Sequence, residues 1–114
     1  HADPNFGYRI EIEGKTIFYT GDTAVCEKAV QGARNADLLI HECSFLPGVE
    51  SEWGHANPEQ AAGIAKRASA KRLALVHFDA SHYKTLGMRK EAERMAKLVF
   101  PNTVAATDGM AITL

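Results

Sequence analysis

Two apolar runs, Leu38-Leu39-Ile40 and Leu73 to Val76, contain no polar residue, and each is followed at once by imidazole or carboxylate side chains. A strand that is apolar on both faces has to be covered on both faces, which is the condition of a sheet with crossover helices. The polar residues that follow, His41-Glu42 and His77, then fall at the rim where open α/β sheets hold their ligands. A third such place is Gly21-Asp22-Thr23, after the β-rich run Thr16 to Thr20.

The segments between these runs fit the same plan. Residues 6–20 alternate apolar and charged side chains around Glu13-Gly14-Lys15 and read as a β-hairpin. Val25, Ala29, Val30 and Ala33 recur at helical spacing behind a cap at Asp22 or Thr23, which predicts a short helix over 24–33. After an irregular stretch from Pro47 to Asn57, Pro58 stands at a first helical position and opens a run of strong helix formers through Ala70. A charged helix is expected over 87–98, with Met88, Ala92, Met95 and Leu98 on its inner face. Two short strands, 102–106 and 110–114, close the chain around a turn at Asp108-Gly109. The order β-β-α-β-α-β-α-β-β gives an α/β layered domain.

At 114 residues the chain is one domain or part of one. No apolar run approaches the roughly 18 residues of a membrane span. The formal net charge of −1 supplies no global field for nucleic acid or acidic lipid, so a polyanion would have to be recognised locally. Cys26 and Cys43 form no C-x-x-C pair and read as small buried hydrophobes, which makes a reducing, cytoplasmic setting the default. The first residue is His1 rather than Met, the mark of an excerpt from something longer or of a processed product.

Taken with His1, the three strand ends form a set of carboxylates and imidazoles, the donor types of a zinc or manganese site. Each has an ordinary reading beside the chemical one. Asp22 can be a helix cap and His77 a satisfied rim histidine. His41 reads as a strand-end residue and His82, beside Tyr83, as a solvated loop histidine. Trp53 either walls a pocket or anchors its loop. Lys66, Arg67, Lys71, Arg72, Arg89 and Lys90 read as solvated helix faces, with contact to a polyanion as the lesser alternative.

The motifs, in their order, resemble the metallo-β-lactamase fold, and within it ribonuclease Z and related phosphodiesterases. They are Gly7-Tyr8-Arg9-Ile10 after His1, Tyr19-Thr20-Gly21-Asp22-Thr23, Leu39-Ile40-His41-Glu42-Cys43-Ser44, Gly54-His55-Ala56-Asn57-Pro58-Glu59-Gln60-Ala61 and Val76-His77-Phe78. The resemblance covers essentially the whole chain. It implies half of an αββα four-layer sandwich, a mixed sheet with covering helices, with residues 1–114 as its C-terminal half. It also implies that His1 binds one of two divalent metal ions, zinc or manganese, that Asp22 bridges both, and that His77 binds the second. His41-Glu42-Cys43-Ser44 is similar to the His-Glu-Ala-Thr loop of ribonuclease Z, and His55-Ala56-Asn57 stands where that family has His-Ser-Thr. The match implies that His55 faces the scissile phosphate and that Glu42 orients it, a carboxylate on one ring nitrogen fixing the tautomer and raising the proton affinity of the other.

The implied activity is hydrolysis of a phosphodiester such as RNA by a metal-bound hydroxide. Ala56-Asn57 and Cys43-Ser44 depart from the family loops and weigh against strict transfer-RNA processing. The family's His-x-His-x-Asp-His loop is missing from the chain, which leaves half an active site. Three alternatives stay open: a thioester or lactone hydrolase on the same metals; a non-catalytic half that needs a complementary half or pairs with itself; and a flavodoxin-like magnesium-phosphate site at Gly21-Asp22-Thr23, which leaves His1, His55 and His77 without a role.

Overall fold

The computed structural model describes residues 7–20, 27–43, 46–48, 56–78, 83–107 and 110–114. The expected hairpin is β1 (Tyr8–Ile12) and β2 (Lys15–Tyr19), paired antiparallel with Tyr8 opposite Tyr19 and Ile12 opposite Lys15. Glu13 and Gly14 both adopt positive φ, 51° and 78°, the backbone that a tight hairpin between right-twisted strands needs. Then follow α1 (Glu27–Gly32), β3 (Leu38–Glu42), α2 (Pro58–Ala68), β4 (Leu73–Val76), α3 (Leu86–Val99) and β5 (Thr103–Ala105). The five strands lie side by side in chain order, and every pair after the hairpin is parallel. The result is the mixed, helix-covered α/β sheet that the sequence implies.

Register sorts the side chains into two faces. Phe18 stands beside Leu39 and Leu39 beside Leu73, while His41 stands beside Leu75. These phenylalanine and leucine side chains share one core with Ala29, Val30 and Ala33 of α1 and its end, Ala61, Ala62, Ile64, Ala65 and Ala68 of α2, and Ala92 and Ala96 of α3, so all three helices cover this face. Burying Leu39, Ile64, Leu73 and Leu75 contributes roughly 1.5–3 kcal/mol each. The alanine stripe brings α2 close to the sheet, and a Cβ on Gly32 would overlap the Phe18 ring, so α1 ends on glycine where it meets the core. Across the sheet, Tyr8, Ile10 and Ile12 of β1 and Tyr19 of β2 form an apolar set, from 37% to 64% exposed.

Local signals fix the helix ends. Asn57 caps α2 in a reciprocal capping box with Gln60, Pro58 stands in the first turn, and Ser69 ends the helix at φ 58°. Thr85 caps α3. Asp37 Oδ2 accepts the Thr16 amide at 2.8 Å and Oδ1 pairs with Lys71 at 3.1 Å, which ties the start of β2 to the turn before β4. The Thr16 hydrogen bond, then Lys71, hold the Asp37 carboxyl below its ordinary pKa.

Three expectations need correction. Residues 110–114 form no strand; Thr113 O accepts from the Arg72 side chain, and Met110 N bonds back to Thr107 O, so this segment does not extend the sheet beyond β5. Leu98 is 71% exposed, because the buried stripe of α3 runs through Ala92 and Ala96 and Leu98 lies about 160° around the helix from Ala96. His41, expected at the strand end, lies one residue inside it: β3 continues through Glu42, and His41 is fully buried. The start of the predicted 24–33 helix and the Asp108-Gly109 turn lie outside the described residues. Among the described residues no helix is long and apolar enough to cross a membrane.

Candidate active site

Parallel pairing brings the carboxyl ends of β2, β3 and β4 to one rim. Thr20 N donates to Ile40 O at 3.0 Å, Glu42 stands beside Val76, and Cys43 N donates to Val76 O at 2.7 Å. Neighbouring strands lie ~4.8 Å apart, so the ends of β2 and β4 are separated by roughly 10 Å, with the end of β3 between them. Asp22 follows β2 within three residues and His77 follows β4 directly.

His77 turns the chain out of the sheet at φ 57°, a left-handed backbone, and the residue is exposed. That conformation costs a non-glycine residue on the order of 1 kcal/mol and recurs at functional sites. Among the described residues no three His, Cys, Asp or Glu side chains gather as a metal site. His1, Asp22 and His55 lie outside the described residues, so of the five expected site residues the structure describes His77 and Glu42.

Glu42 is fully buried, and its Oε1 accepts the Ala56 amide at 2.6 Å. Ala56 is fully buried too, and the capping box of α2 begins at the next residue. One carboxylate at the end of β3 therefore holds the entry to α2, and the residue it holds is the one after His55. The motif resemblance pairs Glu42 with the His55 ring; the backbone contact at Ala56 had no signal in the sequence, because any residue type supplies an amide.

His41 has its own arrangement. Its Nδ1 lies 2.9 Å from Glu42 O, and since a carbonyl can only accept, the ring proton sits on Nδ1. Among the described residues the buried Nε2 has no hydrogen-bond partner. Burial pushes the ring pKa down to about 4, so His41 is neutral near pH 7.

Beside this rim runs a line of contacts from the core to the surface. Cys43 Sγ lies 3.5 Å from Tyr83 Oη, and the Tyr83 ring meets Phe78 edge-on at 4.8 Å and 75°. The Arg89 guanidinium then lies 5.2 Å over the Phe78 ring. Burial pushes the Cys43 thiol up to about 12 and the Tyr83 phenol above its ordinary value, so neither ionises near neutral pH and Cys43 is no thiolate nucleophile. Arg89 is thus not the solvated helix residue that charge patterning suggests; its aromatic partner is remote in sequence and has no helical periodicity to betray it.

Comparison with known proteins agrees with this architecture. Residues 1–78 match the model of the family described as Beta-lactamase superfamily domain. The chain is 40% identical over 94 residues to the ribonuclease Z of Metallosphaera sedula, covering 82% of this chain and 32% of that protein. It is 43% identical over 104 residues to the ribonuclease Z of Ignicoccus hospitalis, covering 89% and 33%. The chain thus spans about a third of the length of these curated relatives. Among solved structures, the metallo-beta-lactamase fold protein YhfI from Bacillus subtilis superposes with a TM-score of 0.78 at 34% identity, over 90% of this chain and 40% of that one. The short form of human tRNase Z superposes with a TM-score of 0.64 at 31% identity, over 88% and 34%. The sheet with its one-sided helices and the motifs along its rim are those of a metallo-β-lactamase fold, and the chain belongs to the beta-lactamase superfamily.

Proposed function

We propose that this chain is one half of a metal-dependent phosphodiesterase of the ribonuclease Z kind. The observation that carries the reading is the buried Glu42 carboxylate gripping the Ala56 amide at 2.6 Å, which fixes the backbone beside His55 at the sheet rim. Identities of 40% and 43% to two ribonucleases Z support the substrate class.

His1, Asp22 and His77 are assigned as metal ligands. Two imidazoles and a carboxylate suit zinc or manganese, and the exposure of His77 directly after β4 supports its assignment. Two divalent ions, when bound, supply Lewis-acid charge for the phosphoryl oxygens and lower the pKa of the attacking water. The protein's own groups do the rest. Glu42, with Oε1 engaged at Ala56, uses Oε2 to hold one nitrogen of the His55 ring, and the other nitrogen gives its proton to the departing oxygen.

Three ligands do not complete two metal sites, and a catalytic zinc takes about three protein ligands of its own. The remaining ligands are assigned to a complementary half, which covers the apolar face formed by Tyr8, Ile10, Ile12 and Tyr19.

The test uses the holoenzyme with bis-p-nitrophenyl phosphate and a thioester as competing substrates. The diester is hydrolysed and the thioester is not, and His55→Ala lowers diester turnover by roughly 10²–10⁴-fold with metal content unchanged. Thioester hydrolysis without diesterase activity, or metal loss in His55→Ala, overturns the reading.

A further inference from the structure

Between the carboxyl ends of β4 and β5 and the first turn of α3 the surface sinks into an open depression of about 320 Å³, lined by Val76, His77, Phe78, Arg89, Ala106 and Thr107. It begins at His77, so it is continuous with the rim that carries the proposed active site. Among the described lining residues the formal cation is Arg89, partly buried, with its guanidinium carbon 5.2 Å over the centroid of the Phe78 ring. The stack is anchored, because Phe78 packs on Tyr83 and the Tyr83 hydroxyl reaches Cys43 in the core. Stacking on a ring face leaves the in-plane edges of a guanidinium for hydrogen bonds, and those edges match two oxygens of one phosphate.

Among the described residues the Arg89 guanidinium has no hydrogen bond and no ion pair. Glu93, one helical turn further on, has its Oε2 engaged by the Ala105 amide at 2.8 Å, and Glu91 pairs with Arg94. Arg89 also lies in the first turn of α3, where the helix dipole adds positive potential. A cation with unused donors, held rigid in a concave surface beside the reaction centre, is built to receive an anion.

We propose that this depression is a phosphate subsite: Arg89 binds, through two N–H donors, a backbone phosphate adjacent to the scissile one in a single-stranded nucleic acid, with Thr107 lining the same pocket. The proposal rests on the phosphodiesterase reading for the identity of the neighbouring chemistry, but its own content is binding, so the two fail separately. The subsite makes the protein prefer oligonucleotides over diesters that have a single phosphate.

The experiment measures binding of a five-nucleotide single-stranded RNA to the wild-type protein, Arg89→Gln and Arg89→Lys, by fluorescence anisotropy at several salt concentrations. Arg89→Gln is expected to weaken binding about tenfold and to reduce the salt slope by about one counterion, and Arg89→Lys to recover part of the loss. The same RNA with neutral methylphosphonate linkages should erase the difference between wild type and Arg89→Gln. Unchanged thermal melting of both variants shows that the fold is intact, as expected for a side chain that lies over the Phe78 ring at the surface. Wild-type affinity in Arg89→Gln, an equal loss with the neutral analogue, or no RNA binding by the wild type overturns the subsite. RNA binding through Arg89 by a holoenzyme that cleaves no diester would sink the phosphodiesterase reading and leave the subsite standing.

Discussion

Replacing Glu42 by alanine isolates the contact on which the active-site reading depends. The substitution removes a charge-assisted hydrogen bond, which contributes roughly 1.5–3 kcal/mol, and leaves the Ala56 amide buried without an acceptor. Relief from burying a carboxylate offsets part of this. A net loss of about 2 kcal/mol is the expectation, and at roughly 4–8 °C per kcal/mol for a domain near this size the melting temperature falls by about 8–16 °C. Glu42→Gln keeps a carbonyl acceptor in the same place and gives up only the charge, so it costs about 1 kcal/mol or less. Circular dichroism melts of the three proteins give the ordering wild type, Gln, Ala. Hydrogen exchange supplies the local readout, since ~2 kcal/mol accelerates opening at the Ala56 amide about 30-fold. If Glu42→Ala melts with wild type and the Ala56 amide keeps its protection, the carboxylate does not hold that loop. If Gln is as damaging as Ala, charge rather than acceptor geometry is what matters there.

The His41 ring carries a sign that can be worked out. Its folded pKa of about 4 lies below the ordinary 6.5 because burial disfavours the charged form, so the unfolded chain binds more protons between these values. Stability is therefore full above pH 6.5 and is lost as pH falls toward 4, by up to about 3 kcal/mol. Urea midpoints should drop over that window in wild type and drop less in His41→Gln; identical slopes contradict the assignment. The apolar face of β1 and β2 makes a second demand: the 114-residue chain by itself should self-associate on sedimentation, burying at least ~1,000 Å², and Ile10→Lys with Ile12→Lys should shift it to monomer. A monodisperse wild-type monomer would defeat the half-domain assignment.

Where local chemistry decides conformation, the sequence was readable. Glu13-Gly14, Pro58 with Asn57 before it, and the two-sided apolar run Leu73–Val76 each state a turn, a helix start and a buried strand in a few residues, and each lies where it was expected. Segment 110–114 misled because a short apolar stretch carries no record of whether a partner edge will accept it; its carbonyl goes to Arg72 instead. The rim itself was legible through polar residues that end apolar strands. The interior of the site was not. The Glu42 grip on a backbone amide and the Arg89–Phe78–Tyr83–Cys43 line join residues 5 to 40 positions apart through contacts that have no periodicity, and the burial of the His41 ring is likewise set by its tertiary surroundings.

The metal assignment is tested most directly by anomalous diffraction at the zinc edge from crystals of the zinc-loaded holoenzyme. The expected map has two peaks ~3.5–4 Å apart, with ring nitrogens of His1 and His77 at ~2.0–2.1 Å from one ion each and the Asp22 carboxylate at ~2.0–2.2 Å from both. Zinc bound away from His77, or an Asp22 carboxylate on the far side of the sheet from that ring, would contradict it.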